Sequence, residues 1–131
     1  MSLMNNIQNA LNTQLATVSG LPAVAWPNTA YVPTNGTSYV RPTLLPARSD
    51  LYTLNNENRH QGIYQVDIFV APEKGTATLW LLADAIRDNF NAVKSVVSTD
   101  TVHIQEISMS QAQRVESWWH CYVQINYICF N

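Results

Sequence analysis

The sequence predicts an α+β fold: an antiparallel-rich mixed β-sheet with two helices packed on one face and a long loop between the second and third strands. Three observations carry that prediction. Two segments space apolar residues three and four apart, as one face of a helix does, and others alternate apolar with polar side chains, as a half-buried strand does. The order is helix, two strands, strand, helix, two strands, not the regular strand–helix alternation of a parallel sheet. A chain of 131 residues fits one domain, residues 1–131, with enough length for a sizeable core.

The first helix is read from Leu3, Ile7, Leu11, Leu15 and Val18, with Ala10 on the same stripe; Gly20 and Pro22 stop it. Its other face carries Asn5, Asn6, Gln8, Asn9, Asn12 and Thr13, so packing is expected on both sides. Residues 23–26 read as a short strand closed by Pro27-Asn28. After Thr34-Asn35-Gly36 a second strand runs from about Ser38 to Leu45, and Pro42 inside it demands a sheet edge or a bulge. The pattern fails from Pro46 to Gln61, which predicts a loop over 46–61, mobile in a free monomer.

Residues 62–71 give the clearest strand, with Tyr64, Val66, Ile68 and Val70 on one face and Ile63, Gln65, Asp67 and Phe69 on the other. Pro72-Glu73-Lys74-Gly75 turns the chain, and Thr76 or Thr78 is expected to cap a second helix. That helix should bury Leu79, Leu82, Ala83, Ile86, Phe90 and Val93 and expose Asp84, Arg87, Asp88 and Asn91. Along Thr101 to Met109 the apolar phase shifts between Val102/Ile104 and Ile107/Met109, which predicts a bulge or a face change. A turn near residues 110–113 leads into one long strand from Trp118 to Phe130. There Trp119, Cys121, Val123, Ile125, Tyr127 and Cys129 face one way, and His120, Tyr122, Gln124 and Asn126 the other.

Charged residues are only 12% of the chain and the net charge is −2. Every one of the 7 basic and 9 acidic side chains lies between Arg41 and Glu116. Charge-free terminal segments suit surfaces that become buried between subunits, because desolvating a charge costs far more than desolvating an amide. No apolar run reaches the roughly 18 residues of a membrane span, and the N-terminus lacks a signal-peptide pattern, so cytosolic synthesis is expected. Eight residues apart on one strand, Cys121 and Cys129 would be separated by ~26 Å, too far for a disulfide.

Reaction chemistry finds little support. His60, His103 and His120 have no metal-ligand spacing, and a zinc site from His103, His120 and a cysteine would require a coincidence of pairing. His120 and Cys121, adjacent in a strand, point to opposite faces. In Pro72-Glu73-Lys74-Gly75-Thr76 the lysine precedes a single glycine, so it is a turn and not a phosphate loop. Asp67 is the carboxylate most open to catalytic use; it is expected instead to face the polar side of its strand or to pair with an arginine such as Arg41. With more acidic than basic residues there is no nucleic-acid footprint, and Trp118, Trp119, Tyr122 and Tyr127 are expected in a core or interface.

Several segments resemble the bacteriophage tail-terminator-like (tail completion) family. They are Leu21-Pro22 with Trp26-Pro27-Asn28, Tyr39-Val40-Arg41, Leu44-Leu45-Pro46-Ala47, Gly62-Ile63-Tyr64-Gln65-Val66-Asp67-Ile68, Pro72 with Gly75, and Leu82-Ala83-Asp84-Ala85-Ile86. The resemblance covers roughly residues 1–95 in order and spacing, and the Asn-rich loop departs from the glycine-rich loop of relatives. It implies a virion protein, assembled in the host bacterial cytoplasm, that forms a ring, usually of six subunits, at the head-proximal end of the tail. Its implied partners are its own copies, the tail-tube protein and the head–tail connector, with no catalysis and no cofactor. Arg41, Arg48, Asp50, Glu57 and Arg59, clustered in or near the loop, are expected to include intersubunit ion pairs. Three alternatives compete: another neck or head-completion protein, a small ligand-binding domain, and a thiol-dependent hydrolase using Cys121 with a histidine.

Overall fold

The computed structural model describes residues 3–26, 32, 37–51, 58–71, 77–93, 95–97, 101–115 and 118–130. Helix α1 (Leu3–Ala16) buries Ile7, Ala10, Leu11 and Leu15. At about 1.5–3 kcal/mol per buried aliphatic side chain, that stripe holds an Asn-rich segment helical where propensity would not. Thr17 and Val18 close its end with hydrogen bonds to the Gln14 and Leu15 carbonyls, and Gly20, at φ 76°, takes a left-handed conformation in the turn that follows.

Strands β1 (Ala23–Val24), β2 (Tyr39–Leu51) and β3 (Asn58–Val70) precede helix α2 (Ala77–Val93). Strands β4 (Ser95–Val97), β5 (Thr101–Met109), β6 (Gln113–Val115) and β7 (Trp118–Phe130) follow it. They form one sheet in the order β1-β2-β3-β7-β5-β4, with β6 also on β7. Only β1–β2 is parallel, which makes an otherwise antiparallel sheet mixed. Both helices sit on one face: α2 packs on β3, β5 and β7, and α1 lies against α2, β4 and β5. Between them and the sheet, Tyr64, Val66, Ile68, Val123, Ile125 and Cys121 meet Leu11, Leu79, Ile86 and Phe90 in a continuous core.

Several sequence expectations need correction. The loop over 46–61 is much shorter, because residues 46–51 and 58–61 continue β2 and β3 as a paired hairpin. The alternation fails there because Ala47 is an inserted, bulged residue between Pro46 and Arg48, which resets the phase. Of that loop, residues 52–57 lie outside the described residues, as does Thr76. Thr78 is inside α2 and does not cap it, Val93 is 40% exposed at its last position, and Leu82 is half-buried. Strands β4 and β6, three residues each, were too short to show a period.

Pro42 lies in an unbroken stretch of β2, opposite Val66. The Ala25 N–H donates to the Val40 carbonyl at 2.8 Å, so even-numbered residues here turn their backbone polar groups away from β3. Pro42 shares that direction and lies beyond the end of β1, so no ladder hydrogen bond is lost. The expected shift in β5 is a bulge at Gln105. The two bulges flank one row, Pro46–Gly62–Tyr127–Ile104. In that row the Tyr127 ring covers Gly62 so closely that a Cβ there would stand 2.5 Å from the phenol oxygen and 2.7 Å from the Leu45 carbonyl oxygen.

Candidate functional site

Alternation along β2, β3 and β7 sends one set of side chains away from the helices, and these build the helix-free face of the sheet. Its first part is aromatic. Tyr39 and Phe69, cross-strand partners, stack at 4.6 Å with 12° between their planes, and Trp118 meets Tyr39 edge-on at 5.2 Å. The His120 ring lies 4.8 Å from Phe69, and the Arg41 guanidinium 5.1 Å over it.

Next to this cluster Asp67 is buried, at 5% exposure. Its Oδ1 lies 2.9 Å from His120 Nε2 and accepts from Gln65 Nε2 at 3.1 Å. Arg41 stands 3.9 Å from Oδ2, so the expected Arg41–Asp67 pairing is present but long, and half-exposed on the arginine side. Gln124 Nε2 donates to Gln65 Oε1 at 3.0 Å, so a line of neutral amides leads from β7 across β3 to the carboxylate. His120 Nδ1 is buried with no hydrogen-bond partner among the described residues.

This arrangement fixes side chains; it does not assemble a nucleophile with a base. Cys121 belongs to the core on the other side of the sheet, and burial, with Asp67 nearby, pushes its thiol up to about 11. His103 pairs with Ile128, eight residues along β7 from His120, or ~26 Å, so the two cannot share a metal. Among the described residues no group of three His, Cys, Asp or Glu side chains could hold a metal ion. Cys121 and Cys129 are both buried and neither is in a disulfide. The aromatic residues of the last strand divide between faces: Trp119 and Tyr127 join the core and Trp118 the helix-free cluster.

Of the charged residues expected at a subunit contact, Arg41 lies over Phe69 and beside Asp67. Arg48 and Asp50 lie in the distal part of β2, where Asp50 is opposite Arg59 in register, and Glu57 is outside the described residues. The His120–Asp67 contact and the Tyr39–Phe69–Trp118 cluster were not read from the sequence. Both faces of β3 and β7 were assigned correctly, but only their register brings Phe69 opposite His120.

On the helix side, the outward stripe of α1 and the Trp26 indole border a shallow groove of about 390 Å³. Gln8, Asn9, Asn12, Thr13 and Ala16 complete its lining, all uncharged. No described helix is long and apolar enough to cross a membrane.

The family model described as phage tail terminator protein matches residues 6–127. The chain belongs to the phage tail terminator family. The match reaches into β7, beyond the residues that carried the resemblance in the sequence. A solved structure 21% identical to this tail terminator family member superposes with a TM-score of 0.72, covering 98% of this chain and 96% of the other; that likeness shows a shared fold. Among curated proteins none matches.

Proposed function

We propose that copies of this chain close into a ring, probed first as a hexamer, at the head-proximal end of a phage tail. There the ring ends tail-tube polymerisation and offers the surface that receives the head–tail connector. The protein works by contact and not by catalysis, needs no cofactor, and is assembled in the host bacterial cytoplasm before it joins the virion tail. The observation that carries this reading is the family match over residues 6–127.

Physical features support it. A closed ring joins one surface of each subunit to a different surface of the next. This chain offers two different surfaces on opposite sides of its sheet: the uncharged outer stripe of α1, and the helix-free face with its aromatic cluster, amide line and Arg41–Asp67 pair. Arg41, Arg48, Asp50, Glu57 and Arg59 include ion pairs between neighbouring subunits.

The test combines light scattering over a range of concentrations with tube assembly. A single closed mass, reached alone or on adding tail-tube protein, and arrest of tube growth at substoichiometric amounts are expected. A chain that stays monomeric in both settings and leaves tube growth unchanged overturns the proposal.

A further inference from the structure

On one side the sheet ends at β2. Strand β1 pairs with that side at Tyr39 and Val40, and among the described residues no strand pairs with it from Arg41 onward. Such an edge is a template on which a strand of another chain can add. From Pro42 to Ala47 it carries no charged side chain, and Leu45 is 42% exposed. Side chains of that kind invite pairing, since the charges that commonly protect an exposed edge are missing.

The backbone of the same stretch does the opposite. The Ala25 N–H reaches the Val40 carbonyl, so Val40 points outward, and the two-residue period of a strand makes Pro42, Leu44 and Pro46 do the same. Proline at two of these three positions has no N–H, and its ring stands where the donor would be, against the carbonyl of an incoming strand. In an antiparallel pairing of two copies centred on Leu44, Pro42 would face Pro46 on either side, and only the two Leu44 residues could exchange hydrogen bonds. Ala47, the bulged residue, follows directly and turns the edge out of line. Among the described residues no other strand holds a proline.

We infer that Pro42 and Pro46 close the β2 edge to strand addition by a second copy of this chain, so that copies cannot join by extending the sheet through β2. The inference goes beyond the ring reading and holds whether or not a ring forms.

The double variant Pro42→Thr/Pro46→Thr restores both donors and tests it. Light scattering and backbone hydrogen exchange over a range of concentrations compare it with the unmodified chain. In the unmodified chain the Leu44 N–H should exchange rapidly at every concentration, because it has no ladder partner. In the double variant it should slow by about tenfold or more between the lowest and highest concentrations, as the mass rises above that of the unmodified chain.

Pro42 is buried, so the fold of the double variant is checked by exchange at Tyr64 and Val123 in the core. If those amides open, Pro46→Thr alone is read in the same way; its site is exposed, and it sets a second outward donor beside that of Leu44. A folded variant whose Leu44 N–H stays fast, or slows equally at every concentration, overturns the inference whatever its mass. So does a Leu44 N–H that is already slow in the unmodified chain.

Discussion

Nε2 of His120 lies 2.9 Å from Oδ1 of Asp67, tying β7 to β3 on the face of the sheet that carries no helix. A carboxylate as buried as this one is tolerated only when its lone pairs are engaged, here by His120, Gln65 and, at longer range, Arg41.

Replacing His120 by Ala removes the shortest of these contacts, and a loss of about 1–3 kcal/mol in urea unfolding is expected. Asp67→Ala should cost a similar amount, and the double variant less than the sum, with a coupling of about 1 kcal/mol or more. Strict additivity would show that the two side chains do not act as a pair.

At Gly62 the predicted effect is steric. Any Cβ meets Tyr127 and the Leu45 carbonyl oxygen, which belong to a packed core and a paired strand and have little room to yield. Gly62→Ala should therefore destabilise by about 1–3 kcal/mol, the range for overpacking. Tyr127→Phe runs the other way. Its hydroxyl is buried without a hydrogen-bond partner among the described residues, so deleting it should leave stability unchanged or slightly raised. Thermal unfolding of both variants checks this, and a clear loss in Tyr127→Phe contradicts the packing described.

Cys121 should resist alkylation in the native state. Its thiol is raised from 9.0 to about 11, so at pH 8 the thiolate is about a hundredfold scarcer than in the unfolded chain, before any shielding by burial. The folded state holds this proton more tightly, so its stabilising contribution is complete below pH 9 and declines as pH rises from there through about 11. Cys121→Ala should flatten that part of the stability profile, read by urea unfolding across the range. Native alkylation as fast as in urea would contradict the burial.

Much of this fold was legible because periods were long. The 14 residues of α1, the 17 of α2 and the 13 of β7 each repeat their pattern several times, so type and most of the buried face were readable, with the misses at the helix ends and at Leu82. The phase shift in β5 identified its bulge for the same reason. The extension of β2 and β3 was not legible, because Ala47 breaks the alternation and the polar residues beyond it match a loop as well as an exposed hairpin. The site was half legible. Alternation put Asp67, His120 and Gln124 on the polar faces of their strands, whereas the contacts among them depend on register, which pairs residues more than fifty positions apart.

If this chain terminates a tail by capping its tube, negative-stain imaging of tubes polymerised from tail-tube protein with and without the chain will show it. A ring of density on one end only, with growth stopped at that end, is the predicted result. Tubes bare at both ends and growing at an unchanged rate, with the chain left in solution, would contradict it.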